Sequence, residues 1–225
     1  MINFAKIWDI LITKFPAFME GVEITLQLAF FTVLFGSLLG LVVAVCRRTR
    51  LLPLRWLMNA YVAFIRGTPL LVQVLLVVYG LPQLGIHLPR MTLCIIALVI
   101  NSGAYMAELI RAGLQSVEKG QVEAAESLGM SSGQTMLYII LPQAVKVTLP
   151  AMGNEFVAII KESSILYAVG VYELTYQAYK LASVNYYYIE TMIVAALIYF
   201  VLTYVATKLL GLLERRMRRA DTSAA

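Results

Sequence analysis

Glu155, Lys161 and Glu162 are ionisable residues in an otherwise apolar stretch, and Asn154, Ser163 and Ser164 stand beside them. Such a set supports two kinds of chemistry. It can bind a small zwitterion, with carboxylates accepting from an ammonium and the lysine and hydroxyls donating to a carboxylate. It can also act as proton or ion sites. Glu155 and Glu162 are seven residues apart, so a helix places them on nearly one face. Lys161 is turned by about 100° from Glu162 and cannot bond both carboxylates along the helix. One carboxylate therefore calls for a partner from another helix, another subunit or a ligand. An ion pair between helices or across a dimer interface would satisfy these residues as well as a solute would. Side-chain catalysis has no comparable support. The sole histidine, His87, falls in a short predicted loop, and Cys46 and Cys94 are isolated. There is no cluster with metal-ligand spacing and no GxxxxGKS/T loop to cradle nucleotide phosphates.

The elements that position these residues follow from composition. Of 225 residues, 60% are apolar and 14% are charged, against roughly 45–50% and 25% in a soluble domain. That excludes an ordinary soluble fold and a disordered chain. The fold class is an all-α membrane protein with five transmembrane helices, near 24–45, 56–81, 91–107, 147–172 and 191–213. The first apolar run starts too late and is too long for a cleaved signal peptide. Residues 1–20 read as an amphipathic helix at the interface, ended by Pro16. Residues 214–225 form a basic tail. Twelve of the eighteen basic residues follow spans one, three and five. The net charge of +5 is then a positive-inside bias rather than a nucleic-acid footprint, with the N-terminus outside and the C-terminus in the cytoplasm.

Two further features stand inside or between the spans. Arg66 begins an Arg-Gly-Thr-Pro run in which Thr68 and Pro69 interrupt the second span. Broken helices at membrane depth are tolerated only against protein or a wet cavity. A second reading of Arg66 is an anchor snorkelling to the interface. Residues 108–146 form the longest segment outside the membrane. Its centre reads VEAAESLGMSSGQTMLYIILPQA, from Val122 to Ala144. Residues 116–128 have helical spacing, Gly129 stands where a helix would end, and Ser131 or Ser132 can cap a second helix running to Leu141, which Pro142 breaks before span four. Small residues there allow another protein to approach closely, and Leu128 supplies apolar contact. An amphipathic loop lying on the bilayer is the alternative.

This segment resembles the EAA loop of ABC importer permeases. FIRGTPLLVQ (64–73), INSGAYMAELIRAG (100–113) and GNEFVAIIKESS (153–164) resemble the polar amino-acid branch of that family. Together the similarities cover all but the ends of the chain. The resemblance implies a permease subunit of an ATP-driven importer of polar amino acids in the bacterial inner membrane. It implies that Glu123, Ala124, Ala125, Leu128 and Gly129 dock on a separate ATPase. ATP and Mg would belong to that partner, present in two copies, and the permease chain itself would carry no cofactor. A second permease copy or a homologous permease and an extracytoplasmic binding protein complete the expected assembly, surrounded by lipid. The candidate solute path comprises Arg66, Thr68, Gln73, Asn101, Asn154, Glu155, Lys161, Glu162, Ser163 and Ser164. A carboxylate at Glu155 favours a basic amino acid such as arginine, with glutamine and cystine left open. A stand-alone ion-coupled carrier or channel, and a membrane scaffold that only recruits a partner, compete with this reading.

Overall fold

A computed structural model describes residues 2–222, with side-chain surroundings given for 2–215. The described residues form helices and no strands: α1 (Phe4–Thr13), α2 (Phe15–Cys46), α3 (Leu52–Gly67), α4 (Leu70–Gln83), α5 (Arg90–Gln115), α6 (Lys119–Ser127), α7 (Ser132–Gln134), a π-helical segment Thr135–Ile140, α8 (Leu141–Glu162), a 3-10 segment Ser163–Val169, α9 (Leu174–Asn185) and α10 (Tyr188–Thr222). Four helical stretches are long and apolar enough to cross a membrane, Phe15–Cys46, Arg90–Gln115, Ser132–Val169 and Tyr188–Arg215. They become five if α3 and α4 are one broken span. The predicted basic tail lies largely outside the described side chains.

The boundaries at Pro16 and Pro142 differ from expectation, whereas the break at Thr68 and Pro69 falls where it was expected, each for a local reason. The amphipathic helix stops at Thr13 rather than at Pro16, and Pro16 opens α2 instead. Proline fits the first turn, where its missing N–H has no carbonyl to meet. Span one accordingly begins well before residue 24. Thr68 and Pro69 are both extended, which separates α3 from α4. Pro142 does not break the chain before span four. It sits in the first turn of α8, and the preceding π-helical turns carry Ser132–Val169 on as one helix. The wider π turn relieves the clash that proline makes with the carbonyl four residues back.

The chain divides into two compact units. Unit one comprises Met1–Thr32, Pro69–Leu98 and Phe156–Leu209. One of its cores joins Leu28, Val74, Cys94, Ala97, Leu166 and Val169, and a second joins Ile10, Phe18, Leu174, Ala178 and Val194. The Asn3 amide donates to Glu190 at 3.0 Å and ties the N-terminus to α10. Unit two comprises Val33–Thr68, Val99–Glu155 and Leu210–Ala225, with Val43, Val62, Ile65, Ala104 and Ala107 at its core. There α2 and α5 touch through small residues. A Cβ on Gly40 would stand 2.5 Å from the Met106 Cβ, and one on Gly36 would stand 2.9 Å from the Ser102 hydroxyl. Gly36 and Gly40 are one GxxxG repeat, the spacing that lets helix backbones approach in lipid.

Candidate coupling loop and solute-path residues

The coupling candidates sit on a short helix and its terminating turn. Helix α6 ends at Ser127, and Gly129 takes a left-handed φ of +80°. The Met130 amide donates to the Ala125 carbonyl at 3.1 Å and the Gly129 amide to the Glu126 carbonyl at 2.9 Å. These two bonds are a Schellman motif, which needs a residue free of a Cβ penalty at the left-handed position. Ser131 then caps α7 in a reciprocal box with Gln134. The motif leaves Leu128 84% exposed and Glu123, Ala124 and Gly129 on the surface. Ala125 is buried, and α6 packs on the π-helical segment. Residues 116–118 precede the helix instead of belonging to it.

The path candidates fall on both units. In unit one Gln73 is buried on α4, Ser163 is buried with its hydroxyl donating to the Ile160 carbonyl at 2.9 Å, and Ser164 is half-buried. Lys161 and Glu162 are exposed at the end of α8. In unit two Asn101 is buried on α5, Asn154 is exposed and Glu155 is half-buried on α8. Thr68 returns its hydroxyl to the Phe64 carbonyl at 2.8 Å and closes the end of α3. Arg66 lies 3.6 Å from Glu108 and 5.5 Å from the centre of the Tyr105 ring, so it is held within unit two.

Glu108 is the hub that sequence reasoning missed. Its carboxylate accepts from Arg47 at 2.5 Å and from Arg111 at 2.7 and 3.1 Å, in addition to meeting Arg66. Arg47 reaches on to Asn59 at 2.7 Å, and Arg111 to Gln115 at 2.6 Å. One acid thus orients guanidinium groups from α3, α5 and the residue following α2. The i,i+3 spacing of Glu108 and Arg111 was visible in the sequence; the two distant arginines were not. Glu173 was also missed. It is fully buried and caps α9, accepting from the Thr175 amide at 2.8 Å, the Tyr176 amide at 2.7 Å and the Tyr199 hydroxyl at 2.7 Å. Burial pushes its carboxyl above the usual range even though all three donors oppose the shift.

A family described as the binding-protein-dependent transport system inner membrane component matches residues 36–219. The chain belongs to that family. Among permeases, it is 44% identical over 212 residues to the probable glutamine ABC transporter permease protein GlnM of Bacillus subtilis (strain 168), covering 94% of this chain and 98% of that one. It is 37% identical over 211 residues to the arginine transport system permease protein ArtQ of the same organism, covering 93% and 96%. A crystal structure of an amino acid ABC transporter with histidines superposes with a TM-score of 0.90 at 46% identity, covering 96% of this chain and 99% of that one. The protein is therefore a transmembrane ABC transporter permease of the amino-acid group. The matched residues include the loop from α6 to α7 and every path candidate in this permease.

Proposed function

We propose that this permease forms half of the translocation path of an ATP-driven importer of polar amino acids in the bacterial inner membrane. A second copy or a homologous permease supplies the other half. The N-terminus lies outside and the C-terminus in the cytoplasm. Two ATPase subunits bind the loop at α6 and α7 from the cytoplasm and hold ATP and Mg, while an extracytoplasmic binding protein delivers the solute. The observation that carries this reading is the protruding turn at Leu128 and Gly129. A leucine 84% exposed on a rigid, doubly bonded turn is a contact waiting for a groove. The pairing of permeases draws support from α8, where Asn154, Lys161 and Glu162 are exposed on a helix of membrane-spanning length. Lipid does not tolerate such a face, whereas a partner helix or a wet path does.

The solute is a free amino acid. In unit one Glu162 offers an acceptor and Lys161 and Ser164 offer donors; in unit two Glu155 offers an acceptor and Asn101 and Asn154 offer donors. Arginine is the first choice because Glu155 favours a cationic side chain, and glutamine is the second. The two relatives named above carry these solutes in their names. The decisive experiment is Leu128→Asp in the full transporter reconstituted in liposomes. ATP-driven uptake falls at least tenfold and the ATPase no longer co-purifies, while the chain stays folded and membrane-inserted. Uptake that continues on an ion gradient without ATPase would establish a secondary carrier instead.

A further inference from the structure

We propose that unit two binds one anionic phospholipid, with its phosphate in a basic cavity at the end of α2 and an acyl chain in an adjoining apolar groove. The cavity has a volume of about 460 Å³ and is lined by Arg47, Arg48, Arg111, Asn59 and Gln115, with Ala44 and Leu114 as its apolar wall. Three guanidinium groups therefore face one space. Glu108 neutralises part of this charge through Arg47 and Arg111, and it is shared with Arg66 as well. Arg48 has no carboxylate within 4 Å among the described residues, so the cavity keeps a positive balance. Two of the three arginines are already aimed. Arg47 is held by Glu108 and Asn59, and Arg111 by Glu108 and Gln115. A guanidinium fixed in this way loses little freedom when it takes a phosphate oxygen, and its planar fork matches phosphate geometry.

The second observation is the groove. It has a volume of about 270 Å³ and runs along α2, α5 and α8, lined by Leu38, Leu41, Ile110, Leu114, Leu149 and Met152 among others. Leu114 lines both spaces. Leu41 and Ala44 are one turn apart on α2, so the wall of the groove continues into the wall of the cavity. Leu38, Leu41 and Leu149 are half or more exposed, which leaves the groove open along its length. A basic cavity joined to an open apolar groove on a membrane helix has the polarity pattern of a phospholipid: charged head, apolar chain. A free phosphate would use the cavity and leave the groove empty. A zwitterionic headgroup would bring its own cation beside three arginines. Basic pockets between membrane helices on the cytoplasmic side are suited to anionic headgroups, and the arginines here belong to the set that the charge bias places on that side. The proposal is independent of which solute is transported.

The test is native mass spectrometry of the full chain with the subunits that accompany it, delipidated and then exposed to phosphatidylglycerol, phosphatidylcholine or millimolar inorganic phosphate. Phosphatidylglycerol stays bound and phosphatidylcholine does not, and inorganic phosphate fails to displace the lipid. Arg48→Gln lowers phosphatidylglycerol retention about fivefold, as expected for loss of one cation near a headgroup. Arg50→Gln, on the same turn but outside the cavity lining, leaves retention unchanged. Leu41→Trp, which fills the groove, lowers retention as well. Equal retention of the two lipids, or equal loss from Arg48→Gln and Arg50→Gln, would overturn the site. Displacement by inorganic phosphate, or full retention in Leu41→Trp, would reduce it to a free-anion cavity and overturn the lipid assignment.

Discussion

Glu108 and Glu173 are acids with opposite surroundings, and each predicts its own behaviour. The Glu108 side chain is 16% exposed and faces three guanidinium groups. Glu108→Gln keeps the shape but removes the charge, leaving Arg47, Arg66 and Arg111 to repel one another. Charge-assisted hydrogen bonds contribute about 1.5–3 kcal/mol each where they are sheltered, and the exposure of Arg66 and Arg111 reduces that. The expected loss is about 2 kcal/mol, seen as a lower thermal midpoint in detergent; an unchanged midpoint would mean that the cluster is only decorative. Among the described residues, the donors to Glu173 are two amides and a hydroxyl, none of them a cation. Burial raises its folded-state pKa above the ordinary value of about 4.3. The stability that its protonated form contributes is fully present below the unfolded pKa. It is lost as pH rises through the elevated folded value. Wild-type thermal stability measured over that interval therefore falls with rising pH, and Glu173→Gln flattens the slope. A slope that persists unaltered in the variant would assign the titration to another group. Of the ion pairs at Glu108, only that with Arg111 is local in sequence, at i,i+3 spacing. Arg47 and Tyr199 reach their acids from 61 and 26 residues away.

Helix identity was legible at the scale of elements because apolar runs are long and the turn chemistry is local. Gly129 and Ser131 ended and began helices where their residue types require it. The breaks at Pro16 and Pro142 were misplaced because proline is tolerated in a first turn, as at Pro16, or after a wider π turn, as at Pro142, and only the hydrogen-bond pattern shows either. The close approach of α2 and α5 is the clearest packing constraint. Gly40→Ala sets two effects against each other. Alanine favours a helix interior by about 1 kcal/mol, but its Cβ would stand 2.5 Å from the Met106 Cβ and 2.9 Å from the Ala107 nitrogen. Backbone cannot retreat cheaply, so overpacking of about 1–3 kcal/mol wins and the thermal midpoint falls. Gly211→Ala on α10 meets nothing within 4 Å and leaves the midpoint equal or higher. If the two variants behave alike, the α2 to α5 contact is not as tight as described.

For the whole molecule, the charge bias makes a prediction that thiol labelling can check. In a background with Cys46 and Cys94 replaced, Leu51→Cys and His87→Cys place single thiols at exposed positions after α2 and before α5. A membrane-impermeant maleimide added to right-side-out vesicles labels the cysteine at 87 and spares the one at 51, which becomes reactive only after permeabilisation. The reverse pattern would invert the proposed orientation.

The sequence by itself determined that the chain is helical, that lipid is its solvent, which apolar runs are the spans, and that it resembles a permease. These properties are carried by composition and by periods of a few residues. Only the tertiary structure decided that Glu108 gathers three arginines, that Ala125 turns inward while Leu128 is presented, and that a basic cavity runs into an apolar groove at Leu114. Each of these depends on which helix faces which. In an apolar membrane chain almost every face is hydrophobic, so hydrophobic periodicity does not specify facing; small residues and buried charges do, and their partners are distant in sequence.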